Sequence, residues 1–134
     1  MLNSVYAVIR SKYIEDTCRF YEQHFKFERS FSTDWYVNLK SGEYELAVLD
    51  PDHPSIPDKF RGRTNGAESL LNFEIDDVDA AYREFTESRR PIHLELRDEP
   101  WGQRHFISED PNGIAIDVIE IIPPSAEFLA HYSE

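Results

Sequence analysis

The chain holds one cysteine, Cys18, among its 134 residues. No intrachain disulfide can form, and a reducing compartment is the expectation. No apolar run approaches the roughly 20 residues that cross a bilayer, so a membrane-spanning helix is excluded. Basic charge is scarce: 14 Lys and Arg stand against 26 Asp and Glu, a net charge of −12. That balance excludes binding driven by phosphate neutralisation, and with it nucleic acid as a partner. Residues 1–6 pass into strand-like sequence without a basic, apolar leader, so a cytoplasmic protein is expected. There is no Gly-rich phosphate loop and no GxSxG elbow. His24, His53, His93, His105 and His131 form no HxxxH or HxH pair.

What is present is enough apolar material for one compact domain, 40% hydrophobic and 13% aromatic. Residues 4–9 read as a strand and 13–24 as a helix, with Ile14, Cys18, Tyr21 and Phe25 on one stripe. Cys18 on that stripe reads as a small core residue rather than a nucleophile. Strands at 27–31, 35–40 and 43–50 follow, and the Pro-rich stretch 51–66 reads as a linker. The order then recurs. Residues 69–75 form a strand, and Asp76 or Asp77 caps a helix to about residue 87 that buries Val78, Ala81, Tyr82 and Phe85. Strands at 92–96, 104–108 and 114–121 follow, and Ser125 can cap a last helix to about 131.

Strand, helix and three strands therefore occur twice, in an α+β chain with modules at about 4–50 and 67–122. A shift of 64 lays Tyr6 on Leu70, and a shift of 71 lays Gly42 on Gly113 and Leu46 on Asp117. Such a duplicated unit cannot bury its sheet face alone.

The most informative stretch is 99–121. It contains Trp101-Gly102-Gln103-Arg104, a tight Asp110-Pro111-Asn112-Gly113 turn, and Asp117 among apolar neighbours, where a lone carboxylate is costly to bury. His93 and His105 lie on nearby parts of the same half and can approach each other or Asp117.

Four pieces in this order carry a resemblance: Phe20-Tyr21-Glu22; Asn72 to Ala81 (N-F-E-I-D-D-V-D-A-A); Trp101 to Arg104; and Asp110 to Gly113. Together they make the chain similar to the vicinal oxygen chelate superfamily, which includes glyoxalase I, extradiol dioxygenases, fosfomycin-modifying enzymes and bleomycin-resistance proteins. The resemblance implies two β-α-β-β-β modules whose curled mixed sheets surround a cleft, usually in a homodimer. It also implies divalent-metal ligands at Tyr6, Leu46, Leu70 and Asp117, the first and last strands of each module. Only Asp117 is an ordinary ligand, so no metal and no cofactor are expected.

With the family pattern, Tyr6, Val8, Leu46, Val48, Leu70, Asn72 and Asp117 face the cleft. Trp35 or Tyr36, Trp101 and His105 close it. Aromatic walls with one carboxylate suit a planar or cationic guest. The expected function is metal-free binding or sequestration of a small aromatic or cationic molecule, as in antibiotic resistance of the bleomycin type. The alternatives are a metal-dependent lyase, isomerase or dioxygenase with a non-standard ligand set, and metal-free catalysis with Asp117 as general base.

Overall fold

The computed structural model describes residues 1–66 and 68–132. Residue 67, where the second module is expected to begin, lies outside them. The chain divides into two compact units, Met1–Glu68 with Pro111–Gly113, and Ser69–Asp110 with Ile114–Glu134.

The first unit contains β1 (Ala7–Arg10), α1 (Ile14–Phe25), β2 (Glu28–Ser32), β3 (Tyr36–Ser41) and β4 (Tyr44–Leu49). Its sheet runs β1-β4-β3-β2, with β1 parallel to β4 and the other pairs antiparallel. A parallel pair needs a crossover, and α1 lies within it. The Ser11 hydroxyl accepts the Tyr13 N–H at 2.8 Å where α1 begins. The helix ends at Lys26, whose left-handed backbone returns its N–H to the Tyr21 carbonyl. Cys18, Phe20, Tyr21 and His24 are buried on this helix. The Cys18 thiol is wholly inaccessible, and burial pushes it up to about 11.

Two contacts identify the sheet face under α1. The Ser41 hydroxyl donates to the Phe25 carbonyl at 3.3 Å, and Arg29 bonds Glu15 and Glu22 at 3.0–3.2 Å. Ser41 and Arg29 share their face with Val37 and Leu39, whose β4 partners are Val48 and Leu46, and with Ile9 beside Val48. All five apolar side chains are buried. Each contributes roughly 1.5–3 kcal/mol by leaving water.

Leu46 and Val48 thus lie under the helix, not on the open face where the repeat alignment puts them. Glu45, Ala47 and Leu49 take the open face, opposite Lys40, Asn38 and Tyr36. The cause is the hairpins. β3 and β4 close with Ser41 opposite Tyr44, across two residues, whereas their counterparts pair as far as Glu109 and Ala115 and close with Asp110 bonded to Ile114, across three. Equal spacing from Gly42 and Gly113 therefore lands on opposite faces. The turn at 110–113 is tight: Asp110 donates its N–H to the Ile114 carbonyl at 3.0 Å, leaving three residues between them. Asp110 caps it, its carboxylate accepting the Ile114 N–H at 3.0 Å. Asn112 leaves the loop to bond Ser11 and Thr17 at 2.5 and 3.0 Å, within the first unit.

The second unit repeats the plan with β5 (Leu70–Glu74), α2 (Val78–Glu87), β6 (Leu94–Glu99), β7 (Gln103–Glu109) and β8 (Ala115–Ile121), in the order β5-β8-β7-β6. Asp77 is the cap of α2, accepting the Ala80 N–H at 3.1 Å. Phe106 meets Tyr82 and Phe85 edge-on, each with ring centroids 5.1 Å apart, which places α2 over the face of Phe106, Ile116 and Val118. The final helix α3 is only Ala126–Leu129, and the Ser125 side chain does not cap it. β6 starts two residues later than expected and ends at Glu99 rather than 96, which bears directly on the site. No helix among the described residues is long and apolar enough to cross a membrane.

Candidate ligand-binding site

In each unit the helix covers one sheet face and leaves the other open. On the second unit's open face, β7 contributes Gln103, His105 and Ile107, opposite Ile121, Ile119 and Asp117 of β8. β5 adds Leu70 and Asn72, opposite Ala115 and Asp117. β6 adds Arg97 opposite His105, and Glu99 opposite Gln103. These last two reach this face because β6 is irregular between Leu94 and Arg97, so residues three apart point the same way.

His105 reaches both diagonal neighbours. Its Nδ1 lies 2.8 Å from Asp117 Oδ1 and its Nε2 lies 2.9 Å from Glu99 Oε2. Arg97 Nε donates to the same Glu99 oxygen at 2.8 Å. Side-chain exposure is 6% for His105, 10% for Glu99 and 11% for Asp117. Asp117 is therefore buried with a partner rather than alone, which removes most of the cost of its burial. Burial opposes charge on His105, but hydrogen bonds to Glu99 and Asp117, and their charges, outweigh it and raise the imidazole above its ordinary value. Hydrogen bonds from His105 and then Arg97 hold Glu99 below the usual carboxylate range. His93 goes elsewhere, to Glu109 at 2.6 Å.

Trp101 sits in the β6–β7 turn. Its Nε1 donates to Gln103 Oε1 at 2.9 Å, its carbonyl accepts the Tyr132 hydroxyl, and Phe128 packs edge-on at 6.3 Å. Gly102 permits this turn: its φ is +110°, and a Cβ there would stand 2.9 Å from the Ile122 carbonyl oxygen.

The first unit's open face is aromatic. Val8 pairs with Ala47, and Tyr36 pairs with Leu49 beside Asn38. Phe31 joins them, 6.2 Å from Tyr36, because β2 shifts register between Arg29 and Phe31. Burial, hydrogen bonding with Tyr6 and the charge of Glu45 raise the Tyr36 hydroxyl above the ordinary phenol range. Tyr6, Tyr36 and Glu45 are thereby grouped, and Glu45 also meets Lys40 at 3.3 Å. Tyr6 and Phe31 are exposed. Trp35 stacks on His53, centroids 3.7 Å apart and planes 8° from parallel, with the Tyr36 ring 5.9 Å away.

The four positions that the resemblance assigns to metal do not fit a divalent ion. Leu70 offers no donor and Leu46 lies under α1. Glu45, on the open face, is paired with Lys40, and Asp117 with His105. Among the described residues, one trio of acids brings its oxygens within 4.8 Å, Asp77, Asp79 and Glu120. These lie at the start of α2 and are engaged there: Asp77 caps Ala80, Glu120 accepts the Val78 N–H at 3.1 Å, and Asp79 meets Arg104 at 3.4 Å.

Of the residues expected around a ligand, Tyr6, Val8 and Tyr36 share the first unit's open face, and Leu70, Asn72, His105 and Asp117 share the second's. Trp35 and Trp101 are taken up in local packing, and Leu46 and Val48 in the core. Arg97 and Glu99 are not marked by the sequence pattern, and Glu45 takes the place expected of Leu46, the one-residue slip that alternation of the apolar residues disfavours. Glu99 could be suspected only from Gly102, which marks a short turn with a strand on either side.

A family model described as the Glyoxalase/Bleomycin resistance protein/Dioxygenase superfamily matches residues 4–118. No curated protein matches. Solved structures do. A lactoylglutathione lyase from Agrobacterium tumefaciens is 20% identical, covering 89% of this chain and 94% of its own, with a TM-score of 0.70. A glyoxalase/bleomycin resistance protein/dioxygenase family enzyme from Burkholderia phytofirmans PsJN is 18% identical, covering 87% and 97%, with a TM-score of 0.76. A protein of unknown function from Agrobacterium tumefaciens str. C58 is 25% identical, covering 91% and 96%, with a TM-score of 0.71. The match over nearly the whole sequence, together with the twice-repeated β-α-β-β-β plan, shows that this chain belongs to the glyoxalase/bleomycin resistance protein/dioxygenase superfamily.

Proposed function

We propose that the chain binds a small aromatic or cationic molecule without a divalent ion, in the manner of the bleomycin-resistance-like branch of its superfamily. Two observations carry this reading: Asp117, the one ordinary ligand among the family's metal positions, is already bonded to His105 in the second unit, and the first unit presents an exposed aromatic face. Phe31, Tyr6 and Tyr36 present ring surface next to Glu45, a combination that attracts planar or cationic guests. A homodimer, implied by the family resemblance, and a cytoplasmic location, expected from the single cysteine, are part of the same reading.

The test is a tryptophan-fluorescence titration with planar aromatic cations, proflavine first, since Trp35 lies 5.9 Å from Tyr36. Saturable quenching unaffected by a chelator is expected, with Tyr36→Ala weakening binding about tenfold. No saturable change with any planar cation overturns the reading. A metal-dependent lyase, isomerase or dioxygenase is the second reading, favoured by the presence of Glu45, not Leu46, on the open face. Chelator-sensitive turnover restored by one metal would promote it.

A further inference from the structure

We infer that His105 is the resident counter-ion of the second unit, filling with its imidazolium the charge-balancing role that a divalent metal plays at paired carboxylates. This rests on the ion-free reading above and names the residue responsible.

A neutral imidazole has one N–H and one lone pair, so it can donate to only one carboxylate. Here both ring nitrogens face carboxylate oxygens, at 2.8 and 2.9 Å, on opposite sides of the ring. With a neutral ring, one of those contacts would set a lone pair against an anion where all three side chains are at most 11% exposed. The doubly protonated ring satisfies both contacts, and Arg97 completes the neutralisation of Glu99 at 2.8 Å. Two carboxylates thus meet two cations, and the cluster needs no added charge.

The same arrangement excludes an ion. A metal takes the lone pair of an imidazole nitrogen and gathers its other donors around one point about 2 Å from each. On this face the carboxylates lie on opposite edges of the ring. Asn72, the β5 residue opposite Asp117, is neutral and brings no further charge. Ion binding would require His105 to give up a proton and at least one of its two carboxylate partners.

The experiment is nitrogen-15 NMR of the histidine rings in the whole protein near neutral pH, before and after excess zinc ion. The His105 signals are assigned by their loss in His105→Gln. If that variant does not fold, Glu99→Gln serves, because it shifts the same signals. The expected result is two protonated ring nitrogens at His105, unmoved by zinc. A ring carrying a lone pair, or signals that zinc shifts saturably, overturns the inference. Failure of proflavine to bind while His105 stays doubly protonated sinks the ligand reading and leaves this one standing.

Discussion

The two sheets share strand order, a helix on one face and an irregular outer strand, yet their open faces differ in kind. The first unit's face is made of exposed rings and one carboxylate held by a flexible lysine. The second unit's face hides three ionisable side chains behind one another, joined by hydrogen bonds of 2.8–2.9 Å. The difference teaches that the duplicated scaffold is set by its helix-covered faces. Those faces carry the same kind of apolar packing in both halves, while the open faces are free to diverge into an adaptable aromatic surface and a rigid polar one.

The largest effects should therefore come from the shared faces. Tyr21→Ala and Phe106→Ala are each expected to cost about 3–5 kcal/mol in urea denaturation, since both rings are fully buried. A marked inequality between them would break the claim that the halves are equivalent there.

Next in size is the pH dependence of the polar face. The raised value of His105 means that its contribution is fully present below its ordinary 6.5 and is lost as pH rises through the raised value. Glu99 works in reverse: its contribution is present above its ordinary 4.5 and is lost as pH falls through the lowered value. Urea midpoints should thus be highest between those two limits. His105→Gln should lower that maximum by about 1–2 kcal/mol and flatten the alkaline decline. An unchanged alkaline limb in the variant would assign the decline to another group.

The smallest effect is reserved for the first unit. Lys40→Ala removes the partner of Glu45, but Lys40 is half exposed, so a change within about 0.5 kcal/mol is expected in the same assay. A larger loss would mean that the aromatic face, too, depends on a fixed ion pair.

Much of this was legible in the residues. The helical stripe of Cys18 and Tyr21, the Asp77 cap and the recurrence of element order follow from periodicity and local hydrogen bonding. The meeting of His105 with Asp117 follows once two neighbouring strands are recognised. Alternation failed where the backbone departs from regular pleating. The register change before Arg97 turned Glu99 inward, and the unequal hairpins exchanged Glu45 for Leu46 on the open face. Neither bulges nor the number of residues across which a hairpin closes leave a mark in a period-two pattern.

The sealed thiol of Cys18 has a practical consequence. A maleimide attacks only the ionised sulfur, and this one is both shielded and, at about 11, almost entirely protonated at neutral pH. A cysteine introduced at an exposed position such as Tyr44 would therefore take a fluorescent or spin label alone, giving a single-site reporter without first deleting the native residue.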